Sequence, residues 1–245
     1  MLTKSRQSGL SLVETMVAMT IGLFLLTGLV TFVTNNLNAN RSRLEMTRLN
    51  QELRASMNVM IREIRRAGYW ASPSYTLGPL STLGAGTTYN NPFLGAISIT
   101  SGGTTTTTNG GIYVPPSSVP GCILFSYDSN GNGIFDTTTP DERYGFLLDN
   151  GIIYMRTGQG ATVNDCTTNA GNAWGALTNG NDVNYQTLTF SGPITTKAYL
   201  SGTSGPNTQV RYITITLTGQ SKSDSSIQQT LTETVKLEND LFSAN

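Results

Sequence analysis

The sequence predicts an α+β protein: a long N-terminal helix, half membrane-spanning and half amphipathic, packed on an antiparallel β-sheet head with long Gly/Thr-rich loops. Three observations carry this expectation. Residues 10–33 are almost wholly apolar, residues 40–66 repeat apolar side chains at three- and four-residue intervals, and short strand-like runs follow from residue 122 onward.

The apolar stretch LSLVETMVAMTIGLFLLTGLVTFV occupies residues 10–33. As a helix it extends about 36 Å at 1.5 Å per residue, enough to cross a bilayer. Lys4 and Arg6 precede it and the first charge beyond it is Arg41, so the positive-inside bias places the N-terminus in the cytoplasm and the remainder outside. A cleavable secretory signal has a shorter apolar core followed by a small-residue cut site, whereas here the small residue, Gly9, comes first. A cut at Gly9 leaves the anchor attached. Glu14 is the anomaly, because an ionised carboxylate costs about 2.5 to 3.5 kcal/mol at the bilayer centre, and less near an edge. Such a group needs a partner.

From residue 40 to 66, Met46, Leu49, Leu53, Met57, Met60, Ile61 and Ile64 predict an amphipathic helix continuous with the anchor. Gly68 ends it and Pro73 confirms the break. The expected divisions are 10–33 for the membrane half, 34–70 for the amphipathic stem and 71–245 for the head. The stem is basic, with Arg41, Arg43, Arg48, Arg54, Arg62, Arg65 and Arg66 against Glu45, Glu52 and Glu63, while residues 67–245 hold six basic and eleven acidic side chains. Interleaved glutamates favour a solvated or subunit-contacting surface over nucleic-acid binding.

Residues 71–121, rich in Gly, Ser, Thr and Pro and including the threonine run 104–108, read as loop with one short strand near 96–100. Strand-like runs then appear at 122–127, 145–148, 151–156, 185–190, 210–217 and 231–237. Val210, Tyr212 and Thr214 alternate with Arg211, Ile213 and Ile215, and the polar SKSDSS that follows reads as a hairpin loop.

Composition narrows function. The chain has no histidine, which removes Ser/His/Asp and Cys/His nucleophile systems and imidazole zinc sites, and a non-enzymatic role is expected. Adjacent Asp141 and Glu142, the acid pair a hydrolase reading would use, have no other convergent group and read as loop solubility. Cys122 and Cys166, an isolated pair beyond the anchor, are expected to form a disulfide; closing that loop contributes roughly 4 kcal/mol by the chain-entropy estimate.

One stretch resembles a metal loop. In DSNGNGIFD, Asp128, Asn130, Asn132, Gly133 and Asp136 match the opening of the calcium pattern D-x-[DN]-x-[DN]-G, with the Ile134 carbonyl as a further ligand. Position twelve is Thr139 rather than a bidentate Glu, so a full EF-hand fails and Asp141 or Glu142 would have to reach back. The expectation is a structural calcium ion held weakly, on the order of 10⁻⁴ to 10⁻³ M. The competing reading is a hairpin turn, for which Asn-Gly is the strongest local signal.

Residues 4–19, KSRQSGLSLVETMVAM, resemble the class III signal of type IV prepilins and type II secretion pseudopilins. The resemblance implies a leader, 1–9, cut by a prepilin peptidase between Gly9 and Leu10, with methylation of the new Leu10 amine. Leu10 stands where the family usually has Phe, and that position tolerates other apolar residues. In the family the glutamate at the fifth mature position, here Glu14, meets the N-terminal amine of a neighbouring subunit during filament assembly. That amine, with a reference pKa near 7.7 to 8.0, supplies the missing counter-charge. The segment REIRRAGYW at 62–70 and TETVKLEND at 232–240 are similar to PilW-type minor pilins.

The implied fold is type IV pilin-like, and the implied role is a minor pilin that helps prime pilus assembly at the filament tip. Implied partners are other minor and major pilins, the prepilin peptidase and the inner-membrane assembly platform. The protein would begin in the bacterial inner membrane, head periplasmic, and end in the filament at the cell surface. Alternatives are a J-type pseudopilin of a type II secretion system, or an anchored periplasmic binding or adhesive module without processing at Gly9.

Overall fold

The computed structural model describes residues 11–71, 97–101, 104–108, 112–114, 121–136, 141–157, 166–168, 174–199 and 207–243. Gly9, Leu10, Pro73 and Thr139 lie outside them. The chain divides into two compact units, Met1–Thr47 and Arg48–Asn245, and helix α1, Leu12–Arg65, contributes to both.

In the first unit the apolar side chains of α1, among them Leu12, Phe24, Leu29 and Phe32, are exposed. The hydroxyls between them are consumed by the helix itself. Thr15, Thr20 and Thr27 donate at 2.8 Å to the carbonyls of Leu12, Val17 and Leu23, and Thr31 donates to Thr27 at 2.9 Å. Thr34 donates likewise to the Val30 carbonyl. Each donor is therefore satisfied internally, and the helix presents an apolar exterior despite its threonines.

In the second unit α1 becomes one-sided. Leu49, Leu53, Met57, Met60 and Ile64 are buried along one stripe, while Met46 is exposed and Ile61 half-buried, so the apolar face starts one turn later than the sequence period suggests. Burying each of these five side chains is worth about 2 kcal/mol.

The strands are β1 Ile97–Ser101, β2 Thr104–Thr108, β3 Ile112–Tyr113, β4 Cys122–Ser126, β5 Arg143–Asp149, β6 Ile152–Thr157, β7 Trp174–Ala176, β8 Val183–Tyr199, β9 Asn207–Ser221, β10 Gln228–Lys236 and β11 Leu241–Ser243. All described pairs are antiparallel. One sheet runs β3-β4-β5-β6-β7; a second is centred on β9, flanked by β8 along its length and by β10 and β11 on the other side; β1 and β2 form a separate ribbon. The threonine run expected as loop is β2, and its branched side chains suit extended backbone. Strands β7 and β11 were not anticipated. The β5–β6 hairpin turns on Asn150 and Gly151, whose φ values of 49° and 76° give the mirror-image turn that matches strand twist.

Both large sheets supply the core under α1. Ile213, Ile215 and Leu217 of β9 join Ile123, Phe125 and Phe146 of the other sheet and the buried stripe of the helix in one cluster. The helix approaches Gly219 of β9 closely, where an added Cβ would lie 2.8 Å from Leu53 Cδ2 and 3.1 Å from Val183 Cγ1. The five-stranded sheet is also covered on its other side by Tyr113, Leu124, Leu147 and Trp174, together with the disulfide Cys122–Cys166, whose Cα atoms are 6.0 Å apart. That second cover explains why every residue of β4 is buried.

The C-terminal end of α1 is tied from two directions. Gly68, at φ 77°, takes the chain out of the helix and donates its N–H to the Ser126 carbonyl at 2.8 Å. The Arg65 carbonyl accepts from the Glu238 N–H at 3.1 Å, and the Asn239 amide reaches the Ala67 carbonyl at 3.2 Å. Buried Glu63 accepts the Tyr127 hydroxyl at 2.8 Å and Arg62 Nε at 3.1 Å, while the Arg66 guanidinium sits 4.1 Å over the Tyr127 ring, which itself stacks on Tyr144 at 4.1 Å.

Two outcomes follow from this packing. Gly219→Ala is expected to lower unfolding free energy by roughly 1 to 3 kcal/mol in urea melts, because Leu53 is fully buried and has little room to retreat. Burial first, and the bond to Glu63 second, push the Tyr127 phenol above its usual 10.0. Its contribution is thus complete below that pH and lost as pH rises beyond it, so stability should fall through the alkaline range and Tyr127→Phe should flatten the slope.

Candidate functional site

Glu14 lies in the first turn of α1, exposed, on a surface otherwise made of Leu, Val, Met and Phe. Its position at a helix N-terminus, where backbone N–H groups are unsatisfied, favours a carboxylate. Among the described residues it has no ion pair; the bridges present there involve Arg62, Arg65, Arg66, Arg143 and Arg156. The arrangement is a single acid on an apolar rod, with its counter-charge to be found elsewhere. The expected cut at Gly9 and the amine of Leu10 fall outside the described residues.

The loop between β4 and β5 brings Asp128, Asn130, Asn132, Ile134 and Asp136 together, as expected from spacing. Its oxygens, however, are spent inside the loop. Asp128 accepts the Gly131 N–H at 2.7 Å, the Gly133 N–H at 2.9 Å and the Ala71 N–H at 3.1 Å. Asn130 Oδ1 takes the Asn132 N–H and Asn132 Oδ1 takes the Ile134 N–H, at 2.9 and 2.7 Å, while both side-chain amides donate to Asp136 Oδ2. A calcium ion would have to displace those amides from Asp136 and share Asp128 with three backbone donors. These bonds close the turn on itself and hold its oxygens on one loop. Among the described residues no group of three or more Asp, Glu, Cys or His is placed to hold a metal.

Glu142 does reach back, as a hydrogen-bond acceptor from the Ser129 N–H at 2.9 Å and the Asp136 N–H at 3.0 Å. Asp141 turns the other way. Its carboxylate is clasped by Arg143 through two bonds of 2.7 Å and approached by fully buried Arg156 at 3.3 Å. Both acids are completely buried, which corrects the reading of them as surface loop groups and leaves them engaged as fold-holding acceptors. Arg211 is likewise buried on the inner face of β9 and donates to the Asn239 carbonyl at 2.9 Å; burial lowers its pKa, opposed by Asp240.

These buried charges were not legible in sequence, since Arg156 and Arg211 meet their partners only once separate segments of the chain are brought together. The available signal was an arginine in phase with the inward residues, as Arg211 is with Ile213 and Ile215. Asp141→Ala should cost about 3 to 5 kcal/mol in a chemical melt, because it removes a fully buried carboxylate that pairs with Arg143 and buried Arg156.

Comparison with known proteins agrees with this layout. Residues 42–237 match the family model for prepilin peptidase-dependent protein B, and residues 4–30 match the prokaryotic N-terminal methylation motif. No curated protein and no solved structure matches the chain. The first match spans the buried stripe of α1 and every strand of the two large sheets except β11, and the second spans Gly9, Leu10 and Glu14. The chain therefore belongs to the prepilin peptidase-dependent protein B family, as a pilin-like protein with a prepilin signal and an N-terminal apolar helix.

Proposed function

We propose that this protein is a minor pilin of a type IV pilus, cut after Gly9, methylated at Leu10, and helping to prime filament assembly from the tip. The observation that carries the reading is Glu14, an acid without an ion pair among the described residues on an otherwise apolar helix surface. Within lipid such a group is costly, and a cationic N-terminal amine on the adjacent subunit would remove that cost. Before assembly the apolar helix anchors the chain in the inner membrane with the head periplasmic; in the filament the same surface packs against neighbouring helices. The self-satisfied threonines suit both surroundings. Motion is supplied by separate assembly ATPases and a membrane platform, so this subunit needs no catalytic residues.

Co-expression with a prepilin peptidase should yield a mature N-terminus at Leu10, read by mass spectrometry. An uncut chain would remove the reading. Glu14→Leu should still be cut, but its recovery in sheared filaments should drop by about tenfold or more, the worth of one charge-assisted contact in an apolar setting. Unchanged recovery would overturn the role given to Glu14. Loss of twitching and surface pili on gene deletion is expected; loss of exoprotein secretion instead would assign the chain to a type II secretion system.

A further inference from the structure

Asn130 and Asn132 are each followed by glycine, the residue that least hinders its own nitrogen from attacking the preceding side chain. In that reaction the glycine nitrogen bonds to the asparagine Cγ and ammonia leaves, giving a five-membered succinimide. The nitrogen's proton passes to solvent base and the departing amide is protonated by water. A water molecule then opens the ring to aspartate or isoaspartate. Both asparagines are exposed, so solvent access does not protect them.

The fold places a carboxylate on the attacking atoms. Buried Asp128, 1 % exposed, accepts the Gly131 N–H on Oδ1 at 2.7 Å and the Gly133 N–H on Oδ2 at 2.9 Å. A negative acceptor keeps each nitrogen protonated and its N–H directed away from Cγ. Asn179, followed by Gly180, supplies an internal comparison. All three asparagines make the same local bond, Oδ1 accepting the N–H two residues on, at 2.9, 2.7 and 3.0 Å. Among the described residues, however, no carboxylate accepts the Gly180 N–H.

We propose that Asp128 guards this Asn-Gly-Asn-Gly turn against succinimide formation, and that exposed Asn179 is a spontaneous deamidation site of the head. The carboxylate that closes the turn thus also preserves its chemistry. Each conversion would add a negative charge, and isoaspartate would lengthen the backbone, so the guard preserves both the charge and the shape of the turn.

The test incubates the full chain in detergent micelles in warm, mildly alkaline buffer and follows each asparagine by peptide mass mapping. Asn179 should convert faster than Asn130 and Asn132, by about tenfold or more, since in those two a charged hydrogen bond must break before attack. Asp128→Asn keeps the shape but loses an acceptor, and should bring Asn130 or Asn132 up to the pace of Asn179. Asp136→Asn frees the side-chain amides yet leaves both glycine nitrogens on Asp128, and should preserve protection. Equal rates at all three sites in the parent chain would overturn the proposal. So would an unchanged Asp128→Asn, or equal acceleration in both variants, which would mark simple loosening of the turn.

Discussion

The head depends on one seam, where the buried stripe of α1 lies on β9. Leu53 presses closely on that strand at Gly219, where an added Cβ would lie 2.8 Å from its Cδ2. Everything else is arranged around this approach. β9 is paired on both sides, so it cannot withdraw without breaking two ladders. The five-stranded sheet adds its own aromatic and aliphatic side chains to the same core. Packing of this density, rather than helix propensity, fixes the helix on the sheet.

A single helix serves two solvents. In its first part the side chains face outward and the polar atoms turn inward to the helix carbonyls, which is the solution a lipid or a bundle of apolar helices demands. From Arg48 onward the order reverses, with apolar residues turned to the sheets and arginines to water. Glu14 breaks the first pattern and Glu63 the second. Glu63 finds Tyr127 and Arg62 within its own fold, whereas for Glu14 the described residues provide no such cation. That contrast separates an acid used for folding from one proposed for assembly.

Much of this was legible in the sequence because it rests on short-range pattern. The span 10–33, the stripe Leu49 to Ile64, the glycine stop at 68 and the alternation around Ile213 each depend on neighbours within a few residues. The disulfide was legible by elimination, there being two cysteines. What escaped depends on which segments pair and how side chains close on one another. The threonine run became strand β2 because Ile97–Ser101 lies opposite it, and Asp141 became a buried anchor because Arg143 and Arg156 close around it. The turn at 128–136 was found as a constellation of oxygens, but only the hydrogen-bond directions show how those oxygens are used.

The carbonyls at the end of α1 receive their donors from Glu238 and Asn239, contributed only after β10 has been laid beside β9. In chain order those donors follow every strand of the two large sheets except β11. Without them the Arg65 and Ala67 carbonyls lose these bonds. A chain cut short of residue 238 would therefore carry a visible lesion at the junction of rod and head.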